Sequence, residues 1–209
     1  MMEYTRISIL DMVEEIGEDR CKNILSFFSC PLNRDVEDFI RNRALAFAQQ
    51  KVAITFLVFA QNDGKQELVG YFTLANKFVA IMEDSKLSNS LQKRILKFSQ
   101  YDDDLNRYLL SMPLIAQLGK NYDKTIKTYI SGNVLLDMAC AKVMEAQNII
   151  GGKTVYIECG DNPKLYDFYG QNGFYEFGKR EKESEELLEG NYFVQMLKYF
   201  KKVNQIGND

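Results

Sequence analysis

The sequence predicts an α/β (α+β) fold with strands and helices interleaved along the chain. Three observations carry that expectation. Apolar runs of strand length alternate with segments whose apolar residues recur at helical spacing. Glycine, proline and Asx residues fall between them, where turns and caps belong. The 209 residues are 46% apolar, with Phe 14, Tyr 12 and Pro only 3, a globular composition able to bury a core. With no repeat and no dividing linker, the chain reads as one domain over 1–209 with an inserted helix near 83–104.

Taken in order, Tyr4 to Ile9 reads as a strand, and Asp11 to Ser29 as helix broken or bent near Gly17. Asn33 is a cap, and a second helix runs from about Arg34 to Gln50, with Val36, Phe39, Ile40, Arg43, Ala44 and Phe47 on its inner face. Val52 to Phe59 is a strand, Asn62-Asp63-Gly64 a hairpin turn, and Glu67 to Ile81 the returning strand. Gly70 inside that strand signals a bulge or a close backbone approach. Leu87, Leu91, Ile95, Leu96 and Phe98 place a helix within 83–104, ending at Asp102-Asp103-Asp104. It is a surface insertion or an element near a substrate site.

Arg107 to Leu118 is the next strand, and Pro113 predicts an edge or bulge within it. A polar loop with Lys120, Lys124 and Lys127 leads to a helix capped near Ser131 and stopped at Gly151-Gly152. Thr154 to Cys159 is a buried strand. Asn162 and Pro163 then open a short helix that Gly173 closes, and Phe174 to Phe177 resumes as strand. A charged loop from 179 to 186, a last strand at 192–199 and a polar tail complete the chain.

Composition also excludes chemistry. The chain contains no His, so Ser-His-Asp, Cys-His and histidine-metal schemes are out. Cys21, Cys30, Cys140 and Cys159 form no CxxC pair; they read as buried thiols in a reducing compartment, without a metal site. A net charge of −3 argues against strong nonspecific binding to nucleic acid or anionic membrane. Neither signal peptide nor membrane span is read, and the cytoplasm is the expected location.

The spacing Asn162, seven positions to Tyr169, then four to Gly173-Phe174, resembles the closing motif of the GCN5-related N-acetyltransferase (GNAT) family. Val69-Gly70-Tyr71-Phe72-Thr73-Leu74 is similar to the family's third strand. The resemblance implies a mixed, largely antiparallel sheet whose fourth and fifth strands splay, with the gap between 112–118 and 154–159. It further implies acetyl-CoA as cosubstrate, transfer to an amine by direct attack, and no metal. Tyr169 would protonate the departing thiolate. The cofactor would meet Leu118, Ser131, Gly132, Asn133, Asn162 and Tyr169. The family's glycine-rich phosphate loop is only partly matched, because Gln117-Leu118-Gly119-Lys120 comes early and Gly132 alone stands at the helix start. The lysines of that loop would supply the missing attraction or are simply solvated.

Glu158, near a strand end, is a general-base candidate or merely a strand residue, and Glu67 is an alternative. A phenol suits proton donation to a thiolate, since ordinary values lie near 10 and 8.5. The acceptor amine is of unknown class. Two further readings stand beside the enzyme: a non-catalytic binding module of the same fold, and a toxin-like acetyltransferase of aminoacyl-tRNA, the one nucleic acid in question. A homodimer is compatible with all three.

Overall fold

The computed structural model describes residues 3–126, 129–182 and 192–201. Lys127, residues 183–186 of the charged loop and the tail beyond 201 lie outside the described residues. The chain runs β1 (Tyr4–Ser8), α1 (Ile9–Ile16), α2 (Glu18–Ser26), α3 (Arg34–Asp38), a π-helical turn (Phe39–Arg43), α4 (Ala44–Gln49), β2 (Ile54–Asn62) and β3 (Lys65–Met82). It continues through α5 (Asn89–Ile95), a 3-10 turn (Leu96–Phe98), β4 (Gln100–Asp102), β5 (Arg107–Lys120), α6 (Gly132–Ile150), β6 (Thr154–Gly160), α7 (Pro163–Gln171), β7 (Tyr175–Glu181) and β8 (Tyr192–Tyr199). Among the described residues, no helix is long and apolar enough to cross a membrane.

Local chemistry sets these boundaries. Ser8 caps α1 by accepting from the Asp11 amide, so the first helix starts earlier than its apolar pattern suggested. Gly17, at φ 85°, breaks α1 from α2. Asn33 accepts from the amides of Asp35 and Val36 and opens α3. Asp63 and Gly64 both take positive φ and close the β2–β3 hairpin.

The strands form one sheet in the order β1-β2-β3-β5-β6-β8-β7, with β4 added to β5. Every pairing is antiparallel except β5 with β6, which is parallel and reduced to a single pair, Leu114 with Tyr156. The implied gap therefore exists, and it opens where expected. The bulge in β5 is displaced from its predicted place. Pro113 stays in register with Asn76, while Gln117 meets Thr73 and Ile115 meets Leu74, leaving Ala116 as the extra residue. Between Leu109 and Leu114 one flank of β5 has no strand partner, and an edge tolerates a proline.

Gly70 fulfils both of its readings. Val58 pairs with Gly70 and Phe59 with Leu68, so a bulge lies beside it at Val69. A Cβ on Gly70 would also stand 2.9 Å from the Gly119 carbonyl oxygen. Gly119 is tighter still, since a Cβ there would meet Val36 Cγ1 at 2.5 Å and Tyr71 Cε1 at 2.6 Å. Both partners are buried, and the Tyr71 hydroxyl is tied to the Val36 carbonyl at 2.7 Å. Gly119→Ala should cost about 1–3 kcal/mol through overpacking, read as a lowered midpoint in urea with an unchanged slope.

The segment 83–104 is not one helix. It holds α5, the 3-10 turn and β4, and the acidic run at its end forms the turn into β5. Tyr101 faces Tyr108 across that hairpin with ring centroids 4.7 Å apart, a cross-strand pair that favours the extended form.

Three apolar clusters build the core. The first joins α6 residues Leu135, Leu136, Ala139 and Val143 to Phe72, Ile115, Val155, Ile157 and Phe174. The second seats α1–α4 on Leu57, Leu68 and Tyr71. The third places Leu87 and Ile95 of the inserted segment on Leu110, Met112, Leu114, Tyr156, Phe177 and Leu197. Neighbouring strand residues point to opposite faces. Tyr71 and Tyr156 therefore share one face, and Phe72, Val155 and Ile157 share the other. Helices α1–α4 and the inserted segment cover the same face, with a strip of sheet between them.

Candidate active site

That strip is the floor of a cleft of about 520 Å³. Asp35, Phe39 and Arg43 bank it on the helical side, and Tyr156, Glu158 and Arg180 on the other. Glu158 accepts from Arg180 Nε at 2.9 Å and from Gln195 Nε2 at 2.9 Å, which occupies both carboxylate oxygens. Opposite it, Asp35 accepts from Arg43 at 2.7 Å and from Gln117 Nε2 at 2.9 Å. Each guanidinium also lies on a ring, Arg43 5.4 Å from the Phe39 centroid and Arg180 4.7 Å from that of Phe193.

Tyr169 approaches the same strands from the opposite face. It is half-buried on α7 and packs its ring edge-on to Phe174, centroids 5.7 Å apart, and to Phe168 at 5.0 Å. Loss of water around the ring, and secondarily the Cys159 sulfur, push its ionisation well above the ordinary phenol value. Among the described residues its hydroxyl has no hydrogen-bond partner, so the proton stays on and is not committed. Because Glu158 and Cys159 are neighbours on β6, Glu158 and Tyr169 flank the same level of the strand from its two sides.

The remaining sequence-derived residues gather at the junction of α6 and α7. Ser131 caps α6, its Oγ accepting from the Val134 amide at 3.2 Å. The first-turn amides of Gly132 and Asn133 have no intrahelical acceptor by construction. The Asn133 side chain accepts from Asn172 Nδ2 at 3.1 Å. A Cβ on Gly132 would reach the Phe168 ring at 3.2 Å, so this glycine is needed for α7 to lie across the start of α6. Asn162 caps α7 by accepting from the Lys164 amide at 2.9 Å. Leu118 lies in β5 opposite Phe72 and joins the first cluster. Gln117 to Lys120 belong to β5, outside the loop. The loop itself is pinned at its start by Asn121, which donates to Leu68 O and accepts from the Ser29 and Asp123 amides.

The sequence places Arg43 on the inner face of its helix and Gln117 in the phosphate-loop signature, without assigning either to this cleft, and it does not single out Asp35, Arg180 or Gln195. These residues reach the cleft from five separate elements, and no local pattern links them. The thiols are held inert, since burial raises Cys140 and Cys159 to about 11. All four cysteines are buried and free.

No family model and no curated protein matches this chain. Solved structures do match. AtaT complexed with acetyl-methionyl-tRNAfMet aligns at TM-score 0.60 and 17% identity, over 92% of this chain and 94% of that one. A tyrosine-to-phenylalanine mutant of KacT aligns at 0.60 and 15%, over 93% and 95%. AtaTR bound with AcCoA aligns at 0.54 and 15%, over 92% of each chain. The chain thus has a mixed α/β architecture with a splayed sheet. In particular, it is the GNAT-like fold shared with AtaT and KacT.

Proposed function

We propose that the chain is an acetyl-CoA-dependent N-acetyltransferase that acts by direct attack, with an aminoacyl-tRNA as acceptor. The observation that carries the reading is the parting of β5 from β6 beyond Leu114 and Tyr156, with the Tyr169 hydroxyl, unpaired among the described residues, at the level of the opening. Backbone groups along a strand edge can pair with an extended arm, and here that arm would be pantetheine. The first-turn amides of Gly132 and Asn133 suit its phosphates. The cleft on the opposite face would admit the amine.

The residues then divide the work. Glu158, fixed by Arg180 and Gln195, would orient the amine directly or through one water. The C–N bond forms as the C–S bond breaks. Tyr169 gives its proton to the departing sulfur and regains one from the ammonium formed on attack, so the products are an amide and a thiol. With both carboxylate oxygens already accepting, Glu158 positions the nucleophile better than it removes protons. AtaT, solved with acetyl-methionyl-tRNAfMet, supports the acceptor class. Buried free thiols and this cosubstrate suit the cytoplasm.

The binding-module reading draws on Gly132, whose open side Phe168 fills. Calorimetry with acetyl-CoA, followed by transfer of labelled acetyl to charged tRNA and to free amines, decides between them. Saturable binding with transfer to charged tRNA is expected. Binding without transfer selects the module, and no heat at millimolar acetyl-CoA removes the acetyltransferase.

A further inference from the structure

A second concavity lies beyond the third apolar cluster, at the opposite end of β6 from Tyr169. It has a volume of about 540 Å³ and is lined by Arg94, Lys97, Lys153, Tyr199 and Lys201. Three distant stretches of chain bring these residues together. Arg94 and Lys97 come from the inserted segment, Lys153 precedes β6, and Tyr199 and Lys201 come from the end of β8. The Phe200 amide donates to the Lys153 carbonyl at 2.7 Å, which fixes the last two stretches against each other. Arg94 lies over the Tyr199 ring, 5.7 Å from its centroid.

Several cations of this acidic chain are paired with carboxylates, Lys86 with Glu176 and Arg107 with Asp102 among them. Here four cations share one concavity, and among the described residues no carboxylate pairs with any of them. Like charges gathered without counter-charge repel one another, so the arrangement fits a ligand that supplies several negative charges at once. One ring among the cations adds a surface on which a base can stack. Along β6, Lys153 is three residues from Tyr156 in the wall of the acceptor cleft, about 10 Å of extended chain.

We infer that this concavity is a binding site for the phosphodiester backbone of RNA, separate from the acetyl-transfer site. It takes successive phosphates on Arg94, Lys97, Lys153 and Lys201, with one base on Tyr199. The inserted segment supplies half of the charge, which gives that departure from a minimal fold a task. The site does not depend on the transfer chemistry, and its test is independent of it.

The test is a titration of the full chain into a labelled single-stranded RNA 20-mer at several salt concentrations, read by anisotropy. The comparison is the variant Arg94→Gln, Lys97→Gln, Lys153→Gln, Lys201→Gln. Four phosphate contacts predict a salt slope shallower by about 3 in the variant, at roughly 0.7 per contact on single strands. Affinity at 100 mM salt, on the order of physiological strength, should drop at least tenfold. Calorimetry with acetyl-CoA should give the same affinity for both proteins. Where neither protein binds acetyl-CoA, the acetyltransferase reading fails and the RNA site stands on its own slope. An unchanged affinity and slope in the variant would falsify the site, as would displacement of the RNA by saturating acetyl-CoA. A far-UV spectrum matching the parent shows that the variant is folded; should it not match, each single substitution replaces it, and four unchanged slopes overturn the inference.

Discussion

Tyr169→Phe should lower kcat by about 10²–10⁴, the usual worth of a positioned proton donor, and leave acetyl-CoA affinity nearly unchanged. Folding stability should barely move, because among the described residues the lost hydroxyl has no partner and the ring contacts with Phe168 and Phe174 remain. Steady-state kinetics, calorimetry and a urea melt on the same preparation separate these outcomes. The pH profile adds a sign. Burial raises the ionisation of Tyr169, so the acid form persists beyond the ordinary phenol value of about 10. The rate should climb on the acid side as the acceptor amine loses its proton, then show no fall up to about pH 10. A descending limb near neutrality, or a Phe variant as fast as the parent, removes Tyr169 from the reaction.

Phe174→Ala should be the most damaging of the substitutions considered, with a loss of about 3–5 kcal/mol, the range for a large aromatic removed from a packed core. Phe174 is 2% exposed. It joins the cluster that binds α6 to both parts of the sheet, and the Lys198 ammonium lies 5.7 Å from its ring centroid. It is also the wall against which Tyr169 is set. Denaturant unfolding should show the loss, and residual activity in folded protein should be reduced as Tyr169 gains freedom. Phe174→Leu keeps much of the volume and should recover more stability than rate. Equal recovery of both would show that Phe174 does not position Tyr169.

Much of the fold could be read from residues whose physical demands are local. Gly17, Asp63-Gly64, Asn33 and Asn162 each specify a turn or a cap within a few positions, and each does so in the structure. Gly70 was readable as a close approach, although its partner, the Gly119 carbonyl, was not. The inserted segment was misread because Leu91, Ile95 and Phe98 recur at helical spacing while Tyr101 answers to Tyr108 across a hairpin.

The site was less legible. Thr154 to Cys159 is buried on both faces, so its composition does not alternate and the direction of Glu158 could not be inferred. The partners of Glu158, Arg180 and Gln195, come from the last hairpin, and Asp35 from a helix near the other end of the chain. Such contacts depend on topology. Tyr169 was findable because its whole constellation, from Asn162 to Phe174, lies within one strand–helix–strand unit.

The single ladder pair between β5 and β6 also has a mechanical meaning. The eight strands behave as two plates, β1-β2-β3-β5 with β4 and β6-β8-β7, riveted at Leu114 and Tyr156. Side chains hold the plates together on either side of that rivet, α6 clamping one face and Leu87 and Ile95 the other. Hydrogen bonds make each plate stiff along its strands, whereas the seam between them relies on packing, which is softer in shear. A molecule that bonded to both edges of the seam would stitch the plates into one, so recognition and rigidity would be gained in the same act.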